Sequence, residues 1–291
     1  MISVAFCSDP LNPRRVDEHF QGEADAVRAI GGQVALIDHD AALRGAVSEA
    51  IRRIPSDAGS VWYRGWMMPS ATYADLADAL ARRGVRMCTT PDAYAVAHEL
   101  PGWYPTFASV TPLSVWLPVV PNEPPAVAAL AKLVAPLGPG AAIVKDFVKS
   151  RKHEWNTACY VPDLTDVGQL HGVVTRMIEL QDDSLTGGVV VRRFEAFTPK
   201  LGEPAELRVW WLDGVPALLT PHPDSAGAVP TVDLDEIGRA VSTLPARFVT
   251  TDLARSTGGW RVVEVGDGQV SDLHAGMDPV ELWEALVAAR T

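Results

Sequence analysis

The chain is poor in cysteine. Its three, Cys7, Cys88 and Cys159, stand far apart in 291 residues and form no CxxC pair. An odd, scattered set argues against a disulfide framework or a zinc–cysteine cluster and suits a reducing compartment. Long apolar runs are missing too: none approaches the roughly 18 residues that a membrane helix needs. The opening MISVAFCSDP has neither a basic n-region nor an apolar h-region, so no secretory signal is expected. The expectations are a cytoplasmic location and no membrane partner. Positive charge is in deficit, with 25 Lys and Arg against 36 Asp and Glu and a net charge of −11. Such a surface repels nucleic acid, which is not expected as a partner. The seven histidines form no HExxH. No GxGxxG follows a strand pattern, and no GxSxG elbow exists. Asp272, His274 and Asp278 read as a polar turn rather than a metal loop.

What is present is an ordinary globular composition, 47% apolar and 21% charged. The length allows about two domains at roughly 100–200 residues each. In residues 1–105, strand patterns at 2–7, 33–37, 60–63 and 85–88 alternate with helical spacing at 16–30 and 73–83. That alternation predicts a small, mostly parallel α/β domain. Seven prolines follow between Leu100 and Pro125. This density is expected to exclude a helix and a central strand, and the domain boundary is placed at its start.

Residues 106–291 read as α+β. Helices are expected at 125–137, 164–179, 234–244 and 279–289. Strands are expected at 141–145, 188–194, 206–212, 215–220, 248–253 and 260–265. Asp213-Gly214 between two strand patterns signals a tight hairpin.

Three segments of this second half carry chemistry. The first is a buried strand ending in Lys145, followed by a loop with Lys149, Ser150, Arg151, Lys152 and His153. Alone it reads as a solvated basic turn; as a site, its cations suit phosphate oxygens. The second is Arg192-Arg193-Phe194-Glu195, then Glu206-Leu207-Arg208. An arginine in an apolar strand is costly to bury unless it is paired. Glu206 shares a strand face with Arg208, so a structural pair and an arginine facing an anionic ligand are both open. The third is Asp252 and Glu264 on two adjacent strand patterns. Side by side, such acids repel, and a cation between them is natural. Magnesium takes oxygen ligands, typically one or two carboxylates plus phosphates.

The ordered set of Val144-Lys145-Asp146, Glu206-Leu207-Arg208-Val209 and Asp252 with Val263-Glu264-Val265 resembles the ATP-grasp superfamily. In particular it resembles the clade named for an arginine-to-lysine replacement in the active site. The resemblance covers residues 106–291, and Tyr63-Arg64-Gly65-Trp66-Met67 is similar to an N-terminal motif of one branch. It implies an α/β pre-ATP-grasp domain over 1–105 followed by an α+β ATP-grasp domain over 106–291. It implies an ATP- and magnesium-dependent carboxylate–amine ligase acting on small-molecule or peptide substrates, with a homodimer compatible. Lys145 and Arg208 would be catalytic. Lys145, Lys149, Ser150, Lys152, Arg192, Arg193, Phe194, Glu195 and Arg208 would bind ATP, the 192–195 stretch being a hinge that meets adenine largely through its backbone.

The same resemblance gives Asp252 and Glu264 to magnesium. Family members often have asparagine two residues after the glutamate; here it is Gly266, and Asp267 or Gln269 is the expected substitute. An earlier phosphate-contacting lysine has no clear match, His98 lying nearest. Arg64 with Trp66 is a candidate substrate-carboxylate site, a structural contact being the alternative. An ATP-dependent phosphotransferase and a regulatory module that has lost catalysis remain open as other functions.

Overall fold

The computed structural model describes residues 2–288. The chain begins with a four-stranded parallel sheet, order β2-β1-β3-β4. Its strands are β1 (Ser3–Cys7), β2 (Gln33–Ile37), β3 (Ser60–Arg64) and β4 (Arg86–Met87). Helices α1 (Gln21–Ala29), α2 (His39–Leu43), α3 (Val47–Ala50) and α4 (Ser70–Ala81) make the connections. β1 is buried along its whole length, which is why it reads as an unbroken apolar run rather than an alternation.

The connecting stretch is more regular than its prolines suggest. Two helices, α5 (Pro91–His98) and α6 (Leu100–Phe107), lead into β5 (Ser114–Pro118). Pro91 and Pro101 each sit in a first turn, where a missing N–H breaks no helical bond. Pro105 lies inside α6, which is only eight residues long and runs across the expected boundary at 105/106. Pro118 ends β5 at a sheet edge, where a lost donor is tolerated. The expectation of no helix here is therefore corrected.

Two antiparallel sheets follow. One has the order β5-β8-β6-β7, with α7 (Val127–Val134), β6 (Ala142–Asp146), β7 (Tyr160–Val161), α8 (Val167–Gln181) and β8 (Gly188–Arg193). The other has the order β10-β9-β11-β12. It contains β9 (Glu206–Leu212), β10 (Val215–Pro221), β11 (Phe248–Ser256) and β12 (Gly259–Asp267), with α9 (Asp235–Val241) between β10 and β11. α10 (Pro279–Ala288) closes the chain; Ala289 of the expected helix lies outside the described residues. Asp213 and Gly214 both have positive φ, as a two-residue hairpin turn demands.

Period-two alternation places the site. On β9, Leu207, Val209 and Trp211 pack with α6 and α9, while Trp210 and Leu212 enter the core of the parallel sheet. Arg208 shares the face of Trp210 and Leu212, so it emerges where that core ends. On β6, Ala142 and Val144 pack on α7 and α8, which turns Lys145 the other way, toward the second antiparallel sheet.

Candidate active site

A cavity of about 420 Å³ lies between the two antiparallel sheets and is rimmed by Met67 and His98 from the first part of the chain. Its floor is a cross-strand row. Arg208 on β9 pairs in register with Asp252 on β11, which pairs in register with Glu264 on β12. Residues opposite in a ladder share a face, so a cation and two carboxylates stand side by side.

Each carboxylate already holds a cation. Arg208 donates Nε to Asp252 Oδ1 and Nη2 to Oδ2, both at 2.8 Å, and Nη1 to the Asp272 carbonyl at 2.9 Å. Lys145 reaches across from the other sheet and donates to both oxygens of Glu264, at 2.9 and 3.1 Å. Lys145 is 2% exposed and Arg208 8%, so each buried cation is paired, as the desolvation penalty requires. Burial works against the charge on Arg208, but Asp252 outweighs it and holds the guanidinium pKa above its ordinary value. The partner of Arg208 is Asp252, not Glu206.

Glu206 stands on the same face, and its carboxylate has no hydrogen bond or ion pair among the described residues. Burial raises its pKa, with Lys152 opposing. Glu206, His222 and Asp252 bring one potential ligand atom each within 4.8 Å of one another. The Asp224 N–H donates to His222 Nδ1, so neutral His222 carries its proton on Nε2, 3.6 Å from Asp252. That N–H points toward Asp252 at a distance too long for a hydrogen bond. Sequence reasoning passed over His222. Counting back along the hairpin from Asp213-Gly214 would have placed it near Glu206, but a bulge at Pro216/Leu218 shifts the register by one.

The basic loop after β6 also lines the cavity through Lys149, Ser150, Lys152 and His153. It is a closed turn: Asp146 Oδ1 accepts from the N–H groups of Val148 and Lys149, and Ser150 bridges back to Lys145. Arg151 pairs with Glu154 at 2.9 Å, whereas Lys149, Lys152 and His153 form no ion pair among the described residues. Trp155 stacks on Tyr160, and both contact Phe194.

Other expected site residues are placed differently. The side chain of Arg192 is buried and donates to Thr111 Oγ1 and to the carbonyls of Val262 and Val263. Burial lowers its pKa to about 10, with Glu264 opposing. Arg193 donates to the Pro139 carbonyl, and Glu195 pairs with Arg261 at 2.9 Å. Phe194 is exposed, Arg193 and Glu195 are half-buried with their charged groups engaged, and Arg192 is buried.

Asp267 is fully buried and does not line the cavity; its Oδ1 accepts from the N–H and Nε2 of Gln269. Gln269 in turn accepts from the Tyr63 N–H. Neither residue is available to a metal in the cavity, which corrects that expectation. Thr250 and Ser271 close over Gly266, with hydroxyls 2.7 Å apart, and a Cβ there would meet both at 3.1–3.2 Å. An asparagine would not fit without displacing them. Arg64 is likewise unavailable: it is fully buried, donates to both oxygens of Glu23 and caps the carbonyls of Gly268, Gln269 and Ser271. Trp66 points elsewhere, donating to Asp17 Oδ2 and packing on His19, which holds Asp272 at the cavity wall.

Comparison with known proteins bears on the fold and the family. No curated protein matches the sequence. The fold is similar to that of D-cycloserine synthetase DcsG, with 16% identity, a TM-score of 0.62, and coverage of 99% of this chain and 100% of that one. It is similar to a RimK-domain ATP-grasp protein from Sphaerobacter thermophilus DSM 20745, with 17% identity, a TM-score of 0.63, and coverage of 98% and 99%. It is also similar to the ATP-grasp ligase PsnB complexed with minimal precursor, Mg and ADP, with 16% identity, a TM-score of 0.57, and coverage of 99% and 97%. A family model for the ATP-grasp domain of the arginine-to-lysine clade, family 3, matches residues 136–286, which hold Lys145, Arg208, Asp252 and Glu264. The chain therefore belongs to the arginine-to-lysine clade of ATP-grasp domain proteins.

Proposed function

We propose that the protein is an ATP-dependent carboxylate–amine ligase that forms an amide or peptide bond on a small-molecule or peptide substrate through an acyl phosphate. The observation that carries this reading is the double pairing of Lys145 with Glu264 and of Arg208 with Asp252, in which Glu264, Arg208 and Asp252 line one cavity and Lys145 is buried behind Glu264. Phosphate oxygens need cations and a divalent metal needs oxygen donors, and both sets are present in balance. A nucleotide bound with its metal exchanges these partners without leaving a buried charge unmatched.

On this reading Lys145, Lys149, Ser150 and Lys152 meet the triphosphate, and Arg208 meets the phosphoryl group in transfer. The donor set fits magnesium: Asp252 and Glu264 are hard oxygen donors in register, and Glu206 replaces Asp267 as the additional carboxylate. Magnesium held there would neutralise triphosphate charge. A substrate carboxylate attacks the γ-phosphorus, breaking its bond to the bridging oxygen and releasing ADP. The amine then attacks the acyl carbon, loses a proton and expels phosphate. Lys145 and Arg208 stabilise the charge that develops on the phosphoryl oxygens, and the basic loop keeps water from the acyl phosphate. The backbone of 192–195 receives the adenine.

The division into a pre-ATP-grasp part, 1–105, and an ATP-grasp part, 106–291, belongs to the same proposal, as do the cytoplasmic location and the use of magnesium. Met67 and His98 bring the first part to the cavity rim, where it helps select the substrate. Among the described residues no helix is long and apolar enough to cross a membrane. The test is an ADP-release screen over pairs of amino acids and peptides, with mass spectrometry of the products. The reading requires ADP release that depends on both a carboxylate and an amine, with a product lighter than their sum by one water. A phosphorylated product formed without any amine would replace ligation by phosphotransfer.

A further inference from the structure

In the parallel sheet, order β2-β1-β3-β4, the chain leaves β1 toward one edge and β3 toward the other, so a crevice opens above the carboxyl ends of these two strands. His19, in the turn Glu18–Phe20 after β1, and Trp66, just after β3, meet there with ring centroids 4.7 Å apart. Phe20 contacts both rings edge-on, and Asp17 Oδ2 accepts from Trp66 Nε1 at 2.9 Å. His19 Nε2 donates in turn to Asp272 Oδ1 at 2.8 Å, and Asp272 lines the cavity. The loop that bears Asp272 is clamped from both parts of the chain. Arg64 donates to the Ser271 carbonyl at 2.7 Å and Arg208 to the Asp272 carbonyl at 2.9 Å, while Leu273 packs on the core of the parallel sheet. The Asp272 side chain is nevertheless half-exposed, and its Oδ2 accepts no hydrogen bond among the described residues. A neutral His19 orients this carboxylate and leaves its charge in place. A fixed carboxylate oxygen beside an exposed aromatic ring suits an ammonium group, the opposite of the charge that an available Arg64 would have taken.

We propose that Asp272, oriented by His19, is a specificity-determining residue that takes the ammonium group of a substrate in which that group adjoins the reacting carboxylate, as in an α-amino acid. This rests on the ligase reading above. Arg208 meets the phosphoryl group in transfer and is bonded to the Asp272 carbonyl, so the carboxylate and the ammonium of such a zwitterion fall on neighbouring residues. The ammonium gives up water on entering the cavity, and Asp272 Oδ2 replaces it with a charge-assisted hydrogen bond. The free cations Lys149, Lys152 and His153 stand on the loop after β6, so the substrate ammonium has its own acidic wall. Trp66 and Met67, both exposed, offer apolar surface to the rest of the substrate.

The test is hydroxamate formation by the full-length protein with Mg-ATP and hydroxylamine, which captures an acyl phosphate whatever the natural amine. A mixture of α-amino acids is compared with a mixture of the same acids lacking the amino group. Hydroxamate is expected from the amino acids and not from their des-amino counterparts. With the amino acid that responds most strongly, Asp272→Asn is expected to raise its KM by about tenfold to a hundredfold, as loss of a charge-assisted hydrogen bond does, and to leave the KM for ATP unchanged. His19→Phe is expected to raise the same KM by a smaller factor, and His19→Gln, which keeps an N–H donor, to restore it. Melting temperatures with and without Mg-ATP confirm that each variant folds and holds nucleotide. Des-amino acids used as well as amino acids, or a wild-type KM in Asp272→Asn, would overturn the proposal and leave the ligase reading standing. No hydroxamate from either mixture would overturn it too, and the ADP-release screen with peptides would then decide the ligase reading separately.

Discussion

Lys145 and Glu264 stand on different sheets, yet the lysine Nζ lies 2.9 and 3.1 Å from the two carboxylate oxygens. A cation expected to meet phosphate and a carboxylate expected to meet metal satisfy one another. The same holds for Arg208 and Asp252. Metal alone must therefore displace a buried ammonium or guanidinium from its partner, and free ATP must displace the half-buried Glu264 or the buried Asp252. Together they satisfy all four groups.

Metal and nucleotide are accordingly expected to bind with positive coupling. Calorimetry should show magnesium or manganese alone binding weakly, and ATP in chelator binding weakly, with each improving the other by about tenfold or more, a coupling of roughly 1–3 kcal/mol. Independent binding of the two, with affinities that do not depend on each other, would mean that the ion pairs do not gate the site.

The two ends of the Lys145–Glu264 pair should separate kinetically. Lys145→Ala is expected to weaken Mg-ATP binding by about tenfold to a hundredfold through loss of a charge-assisted contact. Glu264→Gln is expected mainly to lower turnover, by about a hundredfold, because it disturbs the electrostatics of phosphoryl transfer more than ground-state binding. Wild-type turnover of Glu264→Gln across a range of magnesium concentrations would remove Glu264 from the metal site.

Arg64 should behave as a structural residue. Arg64→Ala leaves Glu23 buried without its cation, and unfolding by denaturant is expected to show a loss of about 3–5 kcal/mol. Glu23 was not readable as its partner, since the pair joins residues 41 positions apart through α1 and β3. Retained stability with an altered substrate KM would return Arg64 to the substrate site.

How far the sequence could be read differs between elements for physical reasons. β9 was delimited correctly because an alternating run bounded by Asp213-Gly214 has one sensible register, and Asp252 could be set beside Glu264 by the same logic. α6 was missed because proline was weighed as a helix breaker without regard to position; Pro101 in a first turn costs the helix nothing. The pairing of Arg192 with carbonyls of β12, and the burial of Asp267 behind Gln269, arise from packing between segments far apart in sequence. Local pattern holds no trace of either.

Asp267 has a consequence for pH. Burial raises its carboxyl pKa to about 7 from an ordinary 3.8, although Gln269 opposes the shift by hydrogen bonding, and Oδ2 has no partner. A group whose folded pKa lies above its unfolded value binds more protons when folded. Its contribution to stability is complete below the ordinary value and is lost as the pH rises through about 7. Asp267→Asn keeps an acceptor for Gln269 and has no proton to lose. Its melting temperature is expected to change less than that of the wild type between about pH 6 and about pH 8, and to exceed it at the upper end. Parallel pH profiles for the two proteins would show that Asp267 does not titrate in this range.

The most direct measurement of the central claim is the melting temperature of the wild-type protein and Lys145→Ala with and without millimolar Mg-ATP. Ligand at about a hundredfold its Kd stabilises the native state by roughly 2.7 kcal/mol, a rise of several degrees for a chain of this size. The account predicts that rise in the wild type, a much smaller one in Lys145→Ala, and little change with magnesium alone. A folded wild-type protein whose melting temperature does not respond to Mg-ATP would contradict it.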